Sequence, residues 1–265
     1  MIPEDNPLNL RLVNTTRYVT PLREGGSMPA IVEADDDFLY VLKFRGAGQG
    51  TKALIAELIG GEIARKLGFY VPELVFIDLQ SGFGKMEGDE EIQDLLQNSV
   101  GTNLGLHYLS NSITFDPVAT EVSAQLASQV VWLDALLMNV DRTVRNTNML
   151  WWNHELWLID HGASLYFHHA WNNYEGTQPF SLVKNHVLLK KATELHEVND
   201  VFQPLITPDF IDLVVDSIPD DWLNDEHVFD TKDDHRNAYK TFLKSRISNS
   251  QLFIKEAENA RLSLI

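Results

Sequence analysis

The sequence contains no cysteine, which excludes disulfides, thiolate metal sites and cysteine nucleophiles and makes a reducing cytosol the expected setting. Positive charge is also scarce: 21 Lys and Arg stand against 38 Asp and Glu, a formal net charge of −17. A surface of that sign repels phosphate backbones and anionic headgroups, so neither nucleic acid nor a membrane is expected as the main ligand. No apolar run approaches the roughly 18 residues needed to span a bilayer. The opening MIPEDNPLNL lacks the basic-then-apolar pattern of a secretion signal, and a cytoplasmic protein is the expectation. No internal repeat or low-complexity tract is visible, and the nine histidines show no HExxH or zinc-finger spacing.

What is present suffices for a substantial core. Hydrophobic residues make up 44% of 265, which suits one large domain or two packed lobes. The first part reads as strands: residues 10–19, 29–33 and the β-branched and aromatic run FLYVLKF at 38–44. Turns at 24–27 and 34–37 separate them. A glycine-rich loop, RGAGQG, leads into a helix over 52–67 that ends at Gly68, and 72–79 reads as a further strand. Beyond it come a short helix at 89–97, a strand at 104–108, and apolar residues at helical spacing from 120 to 138. The remainder reads as helices over 182–197, 208–217 and 237–264. Strands first and helices later predict an α+β fold, with a β-rich N-terminal lobe (1–110), a helical C-terminal lobe (111–265) and a ligand cleft between them.

The chemistry concentrates between Asn139 and Gly162, in NVDRTVRNTNMLWWNHELWLIDHG. Asp141 is followed five residues on by Asn146, and Asp160 comes after a short apolar hairpin turning at Asn153-His154. Phosphoryl transfer needs an aspartate to serve the acceptor hydroxyl and an Asn and an Asp to hold Mg²⁺, at about this spacing. Asp141 is the candidate for the acceptor. Asn146 offers a neutral oxygen and Asp160 a carboxylate where an apolar strand meets a loop, with Gly162 expected to let the chain turn away sharply.

The matching cation belongs in the N-terminal lobe. Lys43 is the only basic residue of FLYVLKF. Alone it reads as an edge-strand lysine with its head in water. The following helix supplies two candidate partners, Glu57 and Glu62. Glu57 shares a face with Ala53, Gly60, Gly61 and Ala64, small residues that allow close approach to a sheet. Gly25, Gly26 and Ser27 could drape backbone N–H groups over phosphates, or simply turn a hairpin; RGAGQG carries the same two readings. Three further features are set aside. His235-Arg236 reads as a helix start, His168-His169 as surface or cleft lining, and the acidic clusters at 87–91 and 219–226 as solvated faces.

Four pieces of sequence resemble the HipA-like kinases, a family related in core design to phosphoinositide and protein kinases. They are GGSMP at 25–29, YVLKFRG at 40–46, the Glu57 helix with KLGFYVPE at 66–73, and DRTVRN with LIDHG. The resemblance covers roughly residues 15–200. It implies ATP and Mg²⁺ as cofactors, Lys43 on the α- and β-phosphates with Glu57 as its helix partner, Asp141 as base, and Asn146 and Asp160 on the metal. It also implies a serine or threonine of a protein as acceptor. The adenine-contacting hinge is expected near residues 107–110. Two departures stand out. HipA-like toxins carry a regulatory serine just before the glycine-rich loop, whereas residues 21–25 here hold no hydroxyl. His161 stands where protein kinases have Phe. The alternatives are a small-molecule or lipid kinase, and an idle nucleotide-binding partner of another protein.

Overall fold

The computed structural model describes residues 8–22, 28–83, 88–171, 174–225 and 227–264. Five strands close into a barrel: β1 (Leu12–Pro21), β2 (Ala30–Ala34), β3 (Leu39–Lys43), β4 (Leu74–Leu79) and β5 (Gly101–His107), in the order β1-β2-β3-β5-β4. All neighbours are antiparallel except β1 and β4, whose parallel pairing closes the ring. Closure removes the open edges that such short strands would otherwise expose. The interior holds Val13, Val32, Tyr40, Leu42, Val75 and Ile77, the inward side of each alternating strand.

Helix α1 (Gly50–Lys66) lies between β3 and β4, and α2 (Glu90–Asn98) precedes β5. The α1 helix stops where expected: basic Arg65 and Lys66 fill its last turn, and Gly68 follows in the left-handed region at φ +88°. Asp89 caps α2 by accepting from the Glu91 N–H at 3.1 Å, so one member of the 87–91 acidic cluster has a local structural role.

A second, three-stranded sheet follows, made of β6 (Ile113–Thr114), β7 (Met149–Trp152) and β8 (Glu155–Leu158), with helix α3 (Ala124–Leu137) between β6 and β7. Asn153 and His154 both take positive φ, the backbone of a two-residue hairpin turn, as the sequence predicts. Helices α4 (Leu195–Phe202), α5 (Pro208–Asp216), α6 (Lys232–Ser248) and α7 (Ser250–Leu262) complete the chain. One apolar core runs from α1 and β4 through α3 to α7, with Trp132, Leu136, Phe242 and Phe253 among its fully buried members. Burying it holds the barrel against the helical half.

Two helix expectations are corrected. Residues 182–197 form short 3-10 turns at Ser181–Asn185 and Leu189–Lys191 and then α4, not one helix. Backbone groups there bond elsewhere: Val187 N–H donates to Arg142 O at 3.1 Å, and Glu194 N–H to Ser128 Oγ at 2.9 Å. Helical pairing loses to these tertiary partners. The terminal helix begins earlier, at Lys232 with Thr231 as cap, and breaks at Asn249.

Candidate active site

Lys43 ends β3 at the mouth of the barrel. Its ammonium donates to Glu57 Oε2 at 2.5 Å and to Asp160 Oδ1 at 2.5 Å. Glu57 is fully buried in α1, Lys43 nearly so, and the Asp160 side chain is 45% exposed. Three charged groups from three separate elements therefore meet at one point. Burial works against the Lys43 charge, but the carboxylates of Asp160 and Glu57 outweigh it and hold the lysine above its ordinary pKa. Lys43 in turn holds Asp160 below the usual carboxylate range. Burial lifts Glu57 above that range, with Lys43 pulling it partly back. Glu62, the other candidate partner, pairs instead with Arg65.

Small residues on α1 create the space for this meeting. A Cβ on Gly60 would lie 2.6 Å from the His161 Cβ, and one on Gly61 would lie 2.7 Å from Leu74 Cδ1. The helix thus rests directly on the turn that carries Asp160. That turn is made by Asp160 itself, at φ +57°, and not at Gly162 as the sequence suggests. A non-glycine residue in the left-handed region costs of the order of 1 kcal/mol. His161 is buried with both ring nitrogens unpartnered among the described residues, and burial lowers its pKa to about 3.

The second half of the site is the segment after α3. Met138 ends the helix in the left-handed conformation, and the chain turns there into the Asp141 loop. Asn146 Nδ2 donates to Asp141 Oδ2 at 2.7 Å, and Thr143 N–H closes the loop onto Asn146 O at 2.8 Å. Asn148 Nδ2 reaches Asp141 Oδ2 at 3.4 Å and Asp160 O at 3.5 Å, long contacts that nevertheless place it between the two aspartates.

Underneath lies a polar hub that sequence reasoning missed. Asp134 is fully buried and accepts from Arg142 Nε at 2.6 Å, from Asn139 Nδ2 at 3.0 Å and from His186, 2.9 Å away. Asn139 Oδ1 accepts the Asp141 N–H at 3.1 Å, while Arg142 Nη1 donates to the carbonyls of Thr147 and Asn148. Burial opposes the Asp134 charge, yet Arg142 and His186 drive its pKa well below the carboxylate range. The available signal was its setting, for Asp134 is the only ionisable residue of α3. A lone carboxylate in an apolar helix needs a partner.

The other sequence expectations divide. Gly25, Gly26 and Ser27 lie outside the described residues. RGAGQG joins β3 to α1, and its first two N–H groups are engaged within the protein: Arg45 N–H donates to Asn103 Oδ1 at 2.8 Å and Gly46 N–H to Ser99 Oγ at 3.1 Å. Residues 107–110 bridge the two sheets, with Tyr108 N–H on Leu39 O and Ser110 O accepting from Trp152 Nε1. His168 is no surface residue; it is fully buried and 3.1 Å from the Tyr239 hydroxyl. The 219–226 cluster is mixed: Asp220 is solvated as expected, with its side chain 75% exposed, whereas Asp225 is buried. Asp221 pairs with Arg45, Asp225 with Lys52 at 3.1 Å, and Trp222 O accepts from Thr51 Oγ1 at 2.7 Å, so this segment grips the start of α1.

The donor set fits a hard divalent cation. Among the described residues no three His, Asp or Glu converge as a ready metal site. Asp160 Oδ2 and Asn146 Oδ1, however, are hard oxygens with no hydrogen-bond partner there. One carboxylate and one amide oxygen suit a cation whose remaining ligands are water and phosphate.

Comparison with known proteins adds three findings. A protein-family model described as HipA-like kinase matches residues 16–255. Among solved structures, the crystal structure of a Helicobacter pylori proinflammatory kinase, CtkA, is similar at 14% identity and a TM-score of 0.57, covering 95% of this chain and 99% of that one. The Golgi casein kinase structure with Mn/ADP bound is similar at 11% identity and a TM-score of 0.48, covering 96% of this chain and 74% of that one. No curated protein matches. The likeness to CtkA shows the fold to be kinase-like, as the α+β reading expects.

Proposed function

The chain belongs to the HipA-like kinase family and is a phosphotransferase, and on that premise we propose that it moves the γ-phosphoryl of ATP, with Mg²⁺, to a serine or threonine hydroxyl of a protein. The observation that supports this reading best is the convergence of Lys43, Glu57 and Asp160 beside the paired Asp141 and Asn146. A protein that only held nucleotide would have no need of the whole set.

In this reading Lys43 holds the α- and β-phosphates, and Glu57 keeps its ammonium in place. Gly25, Gly26 and Ser27 would cover the phosphates, and residues 107–110 would border the adenine. Asn146 and Asp160 would hold Mg²⁺, which offsets phosphate charge. Asp141 keeps one carboxylate oxygen, Oδ1, without a partner among the described residues, while Asn146 and Asn148 fix the other. Oδ1 takes the acceptor proton as the hydroxyl oxygen bonds to the γ-phosphorus; the bond from phosphorus to the β–γ bridging oxygen breaks and ADP leaves.

Among the described residues no helix is long and apolar enough to cross a membrane, and the acidic surface disfavours a headgroup acceptor. On the ground of charge, a protein acceptor is preferred to an anionic lipid. The test is transfer of labelled γ-phosphate by the full chain in a cytoplasmic extract, followed by phosphoamino-acid analysis. Mg²⁺-dependent label on serine or threonine is expected. Label entering only small molecules would replace the acceptor class, and no thermal shift at millimolar Mg-ATP would remove the nucleotide reading.

A further inference from the structure

Positive charge is rare in this protein and most of it is committed. Arg11, Arg17, Lys43, Arg45, Lys52, Arg65, Arg142, Arg236, Lys240 and Lys244 all pair with carboxylates. Among the described residues the basic side chains with no ion pair, hydrogen bond or ring partner are Arg145, Lys184, Lys190, Lys191, Lys255 and Arg261. Four of these six fall in two short segments, and those segments touch.

Arg145 lies inside the Asp141–Asn146 loop, next to the residue whose amide holds Asp141. Lys184 lies two residues before His186, which bridges to Thr143 of the same loop, and Val187 N–H donates to Arg142 O at 3.1 Å. His186 is further pinned from below by Asp134. Lys184 is therefore held on the flank of the loop that carries Asp141. Both Arg145 and Lys184 are exposed, and Val144 between Thr143 and Arg145 is 72% exposed, so this face of the loop is open to a second molecule.

Two solvated cations on a random surface would mean little, since long basic side chains commonly stand in water. The position decides the matter here. With 38 carboxylates against 21 Lys and Arg, partners are abundant, yet Arg145, in the loop after Asp141, and Lys184, in the segment that touches that loop, have none among the described residues. The overall field repels an acidic ligand, so recognition must act within a Debye length of about 8 Å, where local cations outweigh the distant average. Arg also presents a planar fork that suits a carboxylate.

We propose that Arg145 and Lys184 select the phosphate acceptor, favouring a serine or threonine in a protein segment flanked by Asp or Glu. This rests on the kinase reading above and narrows its substrate class. The lysines at 190 and 191 lie farther along the same segment and would extend the preference outward from the acceptor.

The experiment uses the full chain with Mg-ATP and three serine peptides that differ only in flanking residues: acidic, neutral and basic. The expected order of kcat/KM is acidic, then neutral, then basic, with KM for the acidic peptide rising several-fold between 50 and 300 mM salt. Exposed ion pairs are individually weak, so R145E/K184E should raise that KM about tenfold and lower the KM of the basic peptide. A Mg-ATP thermal shift in the double variant checks that it is folded. Equal use of the three peptides, a preference for the basic one, or an unchanged ratio in the double variant would overturn the proposal. Nucleotide binding with label entering no peptide would overturn it while sparing the nucleotide site. Loss of the Mg-ATP shift in the wild-type chain would instead mark failure of the kinase reading, and the acceptor proposal would fall with it.

Discussion

Gly60 and His161 are in such close contact that a Cβ built on the glycine would lie 2.6 Å from the Cβ of the histidine. This contact sets the distance between α1 and the turn carrying Asp160, and hence whether Lys43 can bond Glu57 and Asp160 at once. Gly60→Ala tests it. In a free helix that change stabilises by up to about 1 kcal/mol. Here overpacking at about 1–3 kcal/mol should win, because the obstacle is the root of a buried ring rather than a flexible tip. Chemical denaturation should show a net loss of about 1 kcal/mol, and phosphotransfer should drop about tenfold or more. A more stable and fully active variant would mean that the contact does not position the site.

Asp134 tests the hub beneath the Asp141 loop. Asp134→Ala leaves the Arg142 guanidinium buried without its carboxylate and should cost about 3–5 kcal/mol. Asp134→Asn keeps a hydrogen-bonding group of the same shape and should fold better. Its expected signature is a kcat loss with nucleotide affinity retained, since Asn139 and Arg142 no longer fix Asp141 and the Asn148 carbonyl. Equal losses in kcat and nucleotide affinity would indicate general disorder.

The sequence was legible where local chemistry decides structure. Gly68 ends α1 because it takes positive φ, the Asn153-His154 hairpin turns where two positive-φ residues stand, and the small face of α1 marks the side that packs closely. Glu57 stands out as a partner for Lys43 through the small face of α1 and the family resemblance, with Glu62 left open as the other candidate. What escaped were partners distant in sequence. His186 lies 52 positions from Asp134, and Arg45 lies 176 from Asp221. No period or spacing encodes such pairs, so 182–197 read as a helix and the hold of Asp221 and Asp225 on α1 went unread. Gly162 drew attention as a glycine, while Asp160 made the turn.

Lys43 and Glu57 separate stability from function. Lys43→Met leaves a fully buried glutamate without its cation and should destabilise by roughly 3–5 kcal/mol unless Glu57 takes up a proton. Adding Glu57→Leu should restore most of that stability, because a buried ion pair replaced by apolar groups is often neutral. Phosphotransfer should stay absent in both variants. Recovery of activity in the double variant would show that the pair serves folding alone.

The grip on α1 from the C-terminal half gives a further prediction. Lys52 pairs with Asp225, which also accepts from Trp171 Nε1 at 2.7 Å. Asp225→Asn should loosen the start of α1, where Glu57 sits two turns farther on. Hydrogen exchange should quicken in residues 50–57 with little change in α3, and the apparent KM for ATP should rise several-fold. Unchanged exchange in that stretch would show that the other contacts hold the helix unaided.

Buried histidines should make the fold acid-sensitive above the carboxylate range. His168 and His235 are buried, and burial lowers both, His235 to about 4 despite the opposing charge of Asp225. Lys52, Lys232 and Arg236 push His235 further in the same direction. In the unfolded chain both titrate near 6.5. Below that pH the unfolded state binds protons that the folded state refuses, so stability is complete above about pH 6.5 and falls as the pH drops toward 4. Between pH 7 and 5, before most unfolded carboxylates titrate, Tm should fall by about 3–8 °C. His235→Phe keeps the ring stacked between Phe229 and Tyr239 and removes one titrating group, so it should flatten the slope over that window. A wild-type Tm that is flat or rising on acidification would place these rings in contact with solvent protons, contrary to their burial.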